Sequence, residues 1–412
     1  MKACRMCQSI QMYKFLDLGF TPLADQFRRK DQLLESEMYY PLEVYVCDSC
    51  GLVQLGHVVS PEILYRNDYP YESSTTATGK IHWNEFASSV VERFNLNNKD
   101  LVVDIGSNVG VLLSAFKDHG IRICGIDPAA NIVRIAQENN IETICDFFNQ
   151  DSVNEIITRH GHASIITATN VFAHVDDLFT FMKNILDLLN DDGIFIFEAP
   201  YFGNLIQHLE YDTIYHEHLS YLSLKPLIQF FNKFNMEIFD LEFRDIHGGS
   251  FRVYISKKSK YPVNPAINEL LVQEEKNQIY SHEKLNNFAD LVKQNRDELL
   301  WLLLSLKHEN KKIAAVSAPA KGMTLLNYCK IGNNILDFVT EKSKLKIGRF
   351  TPGLHITVKS DGALLEEKPD YALLLAWNFA DEIIKNNSLY LKNGGKFIIP
   401  LPKPIIIDKV RE

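Results

Sequence analysis

No apolar run in the chain is long enough to span a bilayer, so no membrane partner is expected. The opening MKACRMCQSI lacks the apolar core and cleavage site of a secretory signal, and the expected location is cytoplasmic. Low-complexity tracts and short tandem repeats are absent, which excludes a solenoid. Positive charge is scarce: the net charge is −9, whereas sequence-independent nucleic-acid binding needs a concentrated positive face. That total still allows a local basic pocket for a phosphorylated ligand. Two familiar catalytic strings are also missing, the phosphate loop G-x-x-x-x-G-K-[ST] and the zinc-protease string H-E-x-x-H.

What is present is a soluble globular composition, 46% apolar and 23% charged, over 412 residues. That length predicts two or three domains. The strongest local signal is at the amino end, where Cys4-x-x-Cys7 and Cys47-x-x-Cys50 form two pairs on separate loops. Four thiolates so spaced make a tetrahedral cage for one zinc ion, and a reducing compartment favours zinc over disulfides. A closed four-thiolate site has no open position for water, so the zinc is expected to be structural. Cys124, Cys145 and Cys329 lie in apolar surroundings and read as small core residues.

The order of elements divides the chain. Residues 1–65 hold short strands and turns, among them the alternating Leu42-Glu43-Val44-Tyr45-Val46 that delivers Cys47 and Cys50. With little core of its own, this segment is expected to depend on metal for its fold. Residues 66–256 alternate strand and helix, with strands at 101–106, 122–127, 164–170, 193–200 and 251–256. Such alternation predicts a mostly parallel sheet that binds ligands at the carboxyl ends of its strands. Residues 257–305 form a polar, periodic helical connector. Alternation restarts over 306–412, predicting a second, smaller α/β unit.

In D104-I-G-S-N-V-G110, Asp104 closes a strand and Gly106 and Gly110 follow. The middle glycine of the dinucleotide fingerprint is missing, which disfavours a ligand with a pyrophosphate pressed against this loop. S-adenosylmethionine has none. Asp127, closing the second strand, can accept from both ribose hydroxyls. Asp146 can accept from the adenine amino group, with Phe147 beside it to stack on the base. Downstream, Tyr215-His216-Glu217-His218 gathers a phenol, two imidazoles and a carboxylate in four residues. At i, i+2 the imidazoles point to opposite sides of an extended chain, so a two-histidine metal site is disfavoured. A histidine there suits proton removal near neutral pH. Tyr71, in the linker Tyr69–Ser74, can reach the cleft as a lid. In the last unit a strand turns into a helix at Ala318-Pro319-Ala320-Lys321, where amides and Lys321 can cradle an anion. Arg349 and His355 form a second candidate grip for a diphosphate.

The four-cysteine head, D104-I-G-S-N-V-G, N170-V-F-A-H-V, E198-A-P, Y215-H-E-H, S317-A-P-A-K-G, G348-R-F-T-P-G-L-H and A376-W-N-F-A together resemble the sugar C-methyltransferases of deoxysugar biosynthesis, of the D-tetronitrose type. The similarity spans essentially the whole chain. Leu354, where many relatives carry Thr, is a mild departure. The resemblance implies a class I S-adenosylmethionine methyltransferase core between a small zinc-binding domain and a carboxyl-terminal Rossmann-like α/β domain. The implied substrate is a nucleoside-diphosphate-linked 4-keto-deoxysugar, commonly dTDP-linked, methylated at C3 in the type member, with C5 as the alternative. By the same resemblance His218 is the base, Glu217 and Tyr215 position the sugar or its enolate, and Tyr71 contributes from the linker. Gly106, Asn108, Asp127, Asp146 and Asn170 match the cofactor pattern, and Lys321 and Arg349 fall where the nucleotide lies. A monomer is expected. Two other readings stay open at this point: a heteroatom methyltransferase, for which His218 could equally serve as base, and a non-catalytic binding module.

Overall fold

The computed structural model describes residues 3–66, 69–71, 73, 77–244 and 248–409. In the head, β1 (Met12–Thr21), β2 (Tyr40–Cys47) and β3 (Val53–Leu55) pair antiparallel in that order. The central part contributes β4 (Leu101–Ile105), β5 (Arg122–Ile126), β6 (Thr143–Ile144), β7 (Ala163–Thr169), β8 (Leu189–Pro200), β9 (Ser220–Tyr221), β10 (Met236–Arg244) and β11 (Ser250–Lys257). The last part contributes β12 (Ile313–Val316), β13 (Val339–Glu341), β14 (Val358–Ser360), β15 (Tyr371–Leu374), β16 (Lys396–Ile399) and β17 (Ile405–Ile407).

The central sheet runs β10-β11-β8-β7-β4-β5-β6, parallel from β6 through β8 and antiparallel at β8–β11 and β11–β10. Its middle strand reads LVVDI with every residue buried, as a strand covered by helices on both faces must be. The last sheet runs β14-β13-β12-β15-β16-β17 and is parallel except at β16–β17. In both sheets the first strand (β4, β12) has its successors on one side and a later strand (β7, β15) on the other. Each sheet therefore has a topological switch point, where a crevice opens at the carboxyl ends of the strands. The two crevices face each other across one cavity.

The head is not an independent metal-held knob, as its sequence predicts. β9, which begins two residues after His218, adds to β3 as the fourth strand of the head sheet. Phe15, Leu18, Phe27, Leu42 and Val44 share one apolar cluster with Leu285, Phe288 and Val292 and with Leu325 and Leu326. The first three partners lie on one face of helix His282–His308, spaced for 3.6 residues per turn. Each such side chain withdrawn from water stabilises the docking by about 1.5–3 kcal/mol. Arg28 and Phe350 also exchange both backbone hydrogen bonds, at 2.9 and 2.8 Å, which ties the head to the last sheet. The head's core was hidden in sequence because most of it lies two to three hundred residues away.

The connector is the expected pair of helices, Ala266–Lys276 and His282–His308. From the first, buried Glu274 accepts from the amides of Leu224 (2.7 Å) and Lys225 (3.1 Å), which open helix Leu224–Asn232. Its carboxylate thus answers the positive end of that helix. Cys124 and Cys329 are buried as expected, but Cys145 is exposed, because it lies just beyond the two-residue edge strand β6.

The four cysteine sulfurs converge within 4.8 Å of one another, with Cys4–Cys50 at 3.5 Å and Cys7–Cys47 at 3.4 Å. Bonds of about 2.3 Å to a tetrahedral ion set sulfurs about 3.8 Å apart, so the cage fits zinc with little adjustment. The amides of Cys7 and Leu52 donate to Cys4 and Cys50 Sγ, both at 3.5 Å, as support for thiolate charge.

Under the central sheet, Glu198 on β8 faces Arg252 on β11 in register. Both are buried, Arg252 bonds Glu198 at 3.0 and 2.9 Å, and the guanidinium stacks 3.5 Å over Phe86. His82 completes the set at 2.7 Å. Burial alone pushes the Glu198 carboxyl up, but His82 and Arg252 outweigh it and hold the group below its ordinary value.

Purified protein is expected to carry one zinc per chain by elemental analysis, and Cys50→Ser to lower zinc content and cost roughly 2 kcal/mol or more in denaturant unfolding. Glu198→Ala strands a buried guanidinium and should cost about 3–5 kcal/mol in the same measurement. Because the Glu198 pKa is depressed in the folded state, its stabilisation is full above the unfolded carboxyl value. It is lost as pH falls through the folded one, and the variant should lack that acid-side loss.

Candidate active site

The cavity between the facing sheets has a volume of about 840 Å³. On the central side, Asp104, Gly106, Asn108, Asp127, Asp146, Phe147 and Asn170 all line it. Gly106 has φ +68°, and a Cβ there would lie 2.4 Å from Val171 Cγ2, so the loop requires glycine. Asn108 takes the left-handed conformation that asparagine tolerates, with φ +51°. Gly110 does not line the cavity. It precedes helix Val111–Asp118 at φ +80°, where a Cβ would meet Ile141 at 2.7 Å, so its role is packing.

Asp127 accepts from the amides of Asn108 (3.0 Å) and Ala129 (2.9 Å), one on each oxygen. Each oxygen keeps acceptor capacity for a diol. Burial pushes this carboxyl up, with the two amides opposing, and pushes Asp104 up to about 7 against a 2.6 Å bond from Thr167. Asp146 accepts from the amide of Phe147 at 2.8 Å, and the Arg66 guanidinium lies 5.0 Å from the centre of the Phe147 ring. The Ser107 hydroxyl is buried without a partner among the described residues and lines the cavity. A diol acceptor, a base-sized ring and an orphaned hydroxyl around a glycine turn fit the nucleoside and amino-acid ends of S-adenosylmethionine.

The linker closes over this side. Asn108 Nδ2 donates to the Tyr71 carbonyl (3.1 Å), Ser73 N donates to Asn108 Oδ1 (2.9 Å), and Asn131 holds the Tyr69 backbone through two bonds. Tyr71 lines the cavity, with 42% of its surface exposed.

Opposite the cofactor side, Tyr215, Glu217 and His218 line the same cavity. His218 Nδ1 is 2.7 Å from the Thr213 carbonyl oxygen. A carbonyl only accepts, so Nδ1 carries a proton, and in the neutral ring the lone pair is on Nε2. Tyr215 packs on the His218 ring at 4.0 Å between centroids. His216 points the other way, into the head, with its ring 5.8 Å from that of Tyr40, and burial lowers its pKa to about 4. The divergence expected of i, i+2 histidines is met, and His216 stays outside the cavity lining.

Several lining residues were not singled out from sequence. His174 faces His218 at 5.0 Å between ring centroids, and the Tyr65 hydroxyl lies 3.2 Å from its Nδ1. Burial, then the neighbouring His218, pulls His174 well below its ordinary value, so it is neutral at pH 7. Tyr69 donates to Glu217 Oε2 at 3.1 Å. Burial, then Asp25, pushes Glu217 well above the usual carboxyl range, with Tyr69 and Lys346 opposing. Asp25 comes from the head and pairs with Lys346 of the last domain at 3.3 Å. His174 sits inside the string N170-V-F-A-H-V. Asp25 has no local signal, since its partner is more than three hundred positions away.

The last domain supplies the far wall through Ser317, Lys321, Lys342, Lys346 and Asn378. Lys321 lies as expected at the opening of helix Ala320–Cys329, 4.4 Å over the Trp377 ring. Burial lowers its pKa, while Asp212 and Glu210 oppose. Arg349 and His355, expected beside it, do not line the cavity. Their loop is spent on the head, through the Phe350–Arg28 backbone pair and a 2.8 Å bond from His355 to Glu37. Lys342 and Lys346 stand where those two residues were expected.

Known proteins match this arrangement part by part. Family models match a zinc binding domain at residues 4–65, a methyltransferase domain at 81–241 and a C-methyltransferase C-terminal domain at 245–402. The C-methyltransferase NovU of Streptomyces niveus is 36% identical over 406 residues, covering 98% of this chain and 96% of its own length. Among solved structures, an S-adenosylmethionine-dependent methyltransferase from Clostridium acetobutylicum is 15% identical, covering 45% of this chain and 94% of its own, with a TM-score of 0.36. The magnesium protoporphyrin IX methyltransferase ChlM of Synechocystis is 13% identical, covering 46% and 90%, with a TM-score of 0.35. No helix among the described residues is long and apolar enough to cross a membrane. The chain belongs to the C-methyltransferase family: it is an S-adenosylmethionine-dependent methyltransferase with a zinc-binding head and the family's own carboxyl-terminal domain.

Proposed function

We propose that the protein methylates a carbon next to the ketone of a nucleoside-diphosphate-linked 4-keto-deoxysugar, dTDP-linked and at C3 in the first instance, with C5 as the other flanking carbon. The observation that carries this reading is the fixed tautomer of His218. A neutral imidazole with its Nδ1 proton committed to a carbonyl is a base with one defined acceptor, on a residue lining the cofactor's own cavity.

The ketone acidifies the neighbouring C–H. His218 Nε2 takes that proton, and the electron pair moves into an enolate whose charge rests on the ketone oxygen. Glu217 is held protonated by burial, and with Tyr69 donating to Oε2 the acid proton belongs on Oε1. It can then donate to the developing oxyanion, as a neutral acid in a dry site does. Tyr215 lines the cavity beside the His218 ring and positions the sugar with it, while Tyr71 covers the cofactor side. When bound, S-adenosylmethionine supplies an electron-poor methyl group to the carbon so prepared. Lys321, Lys342 and Lys346, together with the amides opening helix Ala320–Cys329, favour a diphosphate on the far wall. The cavity chemistry supports a small phosphorylated partner, and the expected location is the cytoplasm, where such precursors are used.

The test is deuterium exchange. In deuterated water with a dTDP-4-keto-6-deoxysugar and no methyl donor, the proton signal of C3, or of C5, should disappear and so name the carbon. His218→Asn should slow this exchange by about 10²–10⁴-fold. No exchange across several sugar nucleotides would sink the reading. Glu217→Gln, which keeps a neutral donor, should retain far more activity than Glu217→Ala. Since the acid form is the working one, the wild-type rate should fall as pH rises through the raised Glu217 value, and Glu217→Gln should lose that alkaline limb.

A further inference from the structure

We propose that Arg5 is a positioning residue for the reaction: from inside the zinc-binding loop it holds together the two loops that bring His218 and His174 face to face. The proposal rests on the reading of His218 as the base.

Arg5 lies between Cys4 and Met6 in the first cysteine pair, and its side chain is 3% exposed. Its backbone N–H donates to Gln54 Oε1 at 2.9 Å, which fixes the loop to β3. Nη1 donates to the carbonyls of Leu55 (3.0 Å) and Leu219 (3.2 Å), and Nε donates to Asp176 Oδ1 (3.0 Å). Leu219 directly follows His218. Asp176 lies two residues beyond His174 and lines the cavity. One guanidinium therefore grips the loop of each facing imidazole, and does so from the part of the chain that zinc makes rigid.

The residue type matters. Acceptors diverging from one point need the flat fork of arginine, because a lysine ammonium on a flexible stem cannot hold all of them in fixed directions. The pull also acts where it counts. Leu219 O already accepts from Leu55 N at 3.0 Å, so the guanidinium doubles the hold on the Leu219–Ser220 peptide, the second peptide after the His218 Cα. On the other loop, His174 N bonds Val171 O at 2.8 Å within the short 3-10 turn Phe172–His174, and Asp176 fixes the exit of that turn. Without Arg5 the two loops keep their own internal bonds but lose their shared anchor. The expected consequence is a looser His218, not an unfolded protein.

The test uses full-length, zinc-loaded Arg5→Met and Arg5→Lys. Zinc per chain is measured by elemental mass spectrometry, and kcat and KM by the deuterium exchange above. Nitrogen-15 imidazole spectra are recorded without substrate, with the His218 signals assigned by their absence in His218→Gln. Both variants should keep one zinc. Exchange kcat should fall by about 10²-fold in Arg5→Met, the cost typical of a sub-ångström to one-ångström misplacement, with KM for the sugar nucleotide little changed. The single Nδ1–H tautomer of His218 should give way to averaged signals. Unchanged kcat, a wild-type His218 spectrum, or zinc loss that parallels the loss of rate would each overturn the proposal. If Arg5→Met fails to fold, Arg5→Lys is judged by the same criteria. If the wild-type exchanges no sugar proton at all, the substrate reading fails, while the imidazole spectrum still decides the role of Arg5.

Discussion

The pairing of β3 with β9 is the contact on which the site depends. A two-residue strand such as Ser220–Tyr221 has too little edge to persist alone, and it is extended because β3 offers it partners. The register sets Gln54 opposite Ser220 and Val53 opposite Tyr221. Because successive side chains of an extended chain alternate in direction, a slip of one residue would exchange which of them faces the head. The residues just upstream form a turn, in which His218 N donates to Tyr215 O at 2.9 Å. That turn sends His216 into the head beside Tyr40 and leaves Tyr215, Glu217 and His218 lining the cavity, and the β3–β9 pairing anchors its exit to the head. A zinc site remote from any ligand thereby acquires a bearing on chemistry.

Two sheets of similar topology, each opening at its switch point, divide the labour across the cavity. The central one offers carboxylates and a glycine turn suited to a nucleoside with an amino-acid tail. The last one offers lysines and a helix opening suited to phosphate. A volume of about 840 Å³ lies at the upper end of the range for single small-molecule sites, as a site that brings two ligands together requires. Holding both reactants on rigid sheets converts an encounter between them into a local event, which is among the larger contributions a protein can make to a rate. The Asp25–Lys346 pair, formed between the head and the last domain beside Glu217, keeps this wall in place from a third direction.

The cofactor side was legible in sequence because its signals are local. Asp104, Asp127 and Asp146 each stand at or just beyond the end of a recognisable strand, and each lines the cavity. The density of Tyr215-His216-Glu217-His218 likewise marked a segment that lines the same cavity. What could not be read was anything set by distant pairing. Lys346 was passed over for Arg349, three residues on, because nothing local says that Phe350 pairs with Arg28 and draws that turn toward the head. The head appeared coreless because its apolar residues share a cluster with helix residues near 290, and β9 was invisible because two residues carry no period. Of the missed strands, β14 and β17 are three residues long, and β10 pairs antiparallel at the sheet edge.

The electrostatics of the cleft have one common cause. Burial is the largest influence on Asp104, Glu217, Glu210 and Asp212, which it pushes up, and on His174 and Lys321, which it pushes down. Acids and bases alike are driven toward their neutral forms, which is the signature of a dry pocket rather than of particular charge partners. Such a pocket suits the abstraction of a carbon-bound proton. On the proposed reading, a neutral base and a neutral acid enter the reaction and a charge pair emerges, imidazolium beside enolate, with Glu217 within the same cavity to share the negative end. A pocket of ionised groups would have to reorganise around that new charge. One built of neutral, fixed hydrogen-bonding groups is already arranged for it. On this argument the tyrosines that crowd the cleft (Tyr65, Tyr69 and Tyr215) matter as much for the water they keep out as for the hydroxyls they bring in.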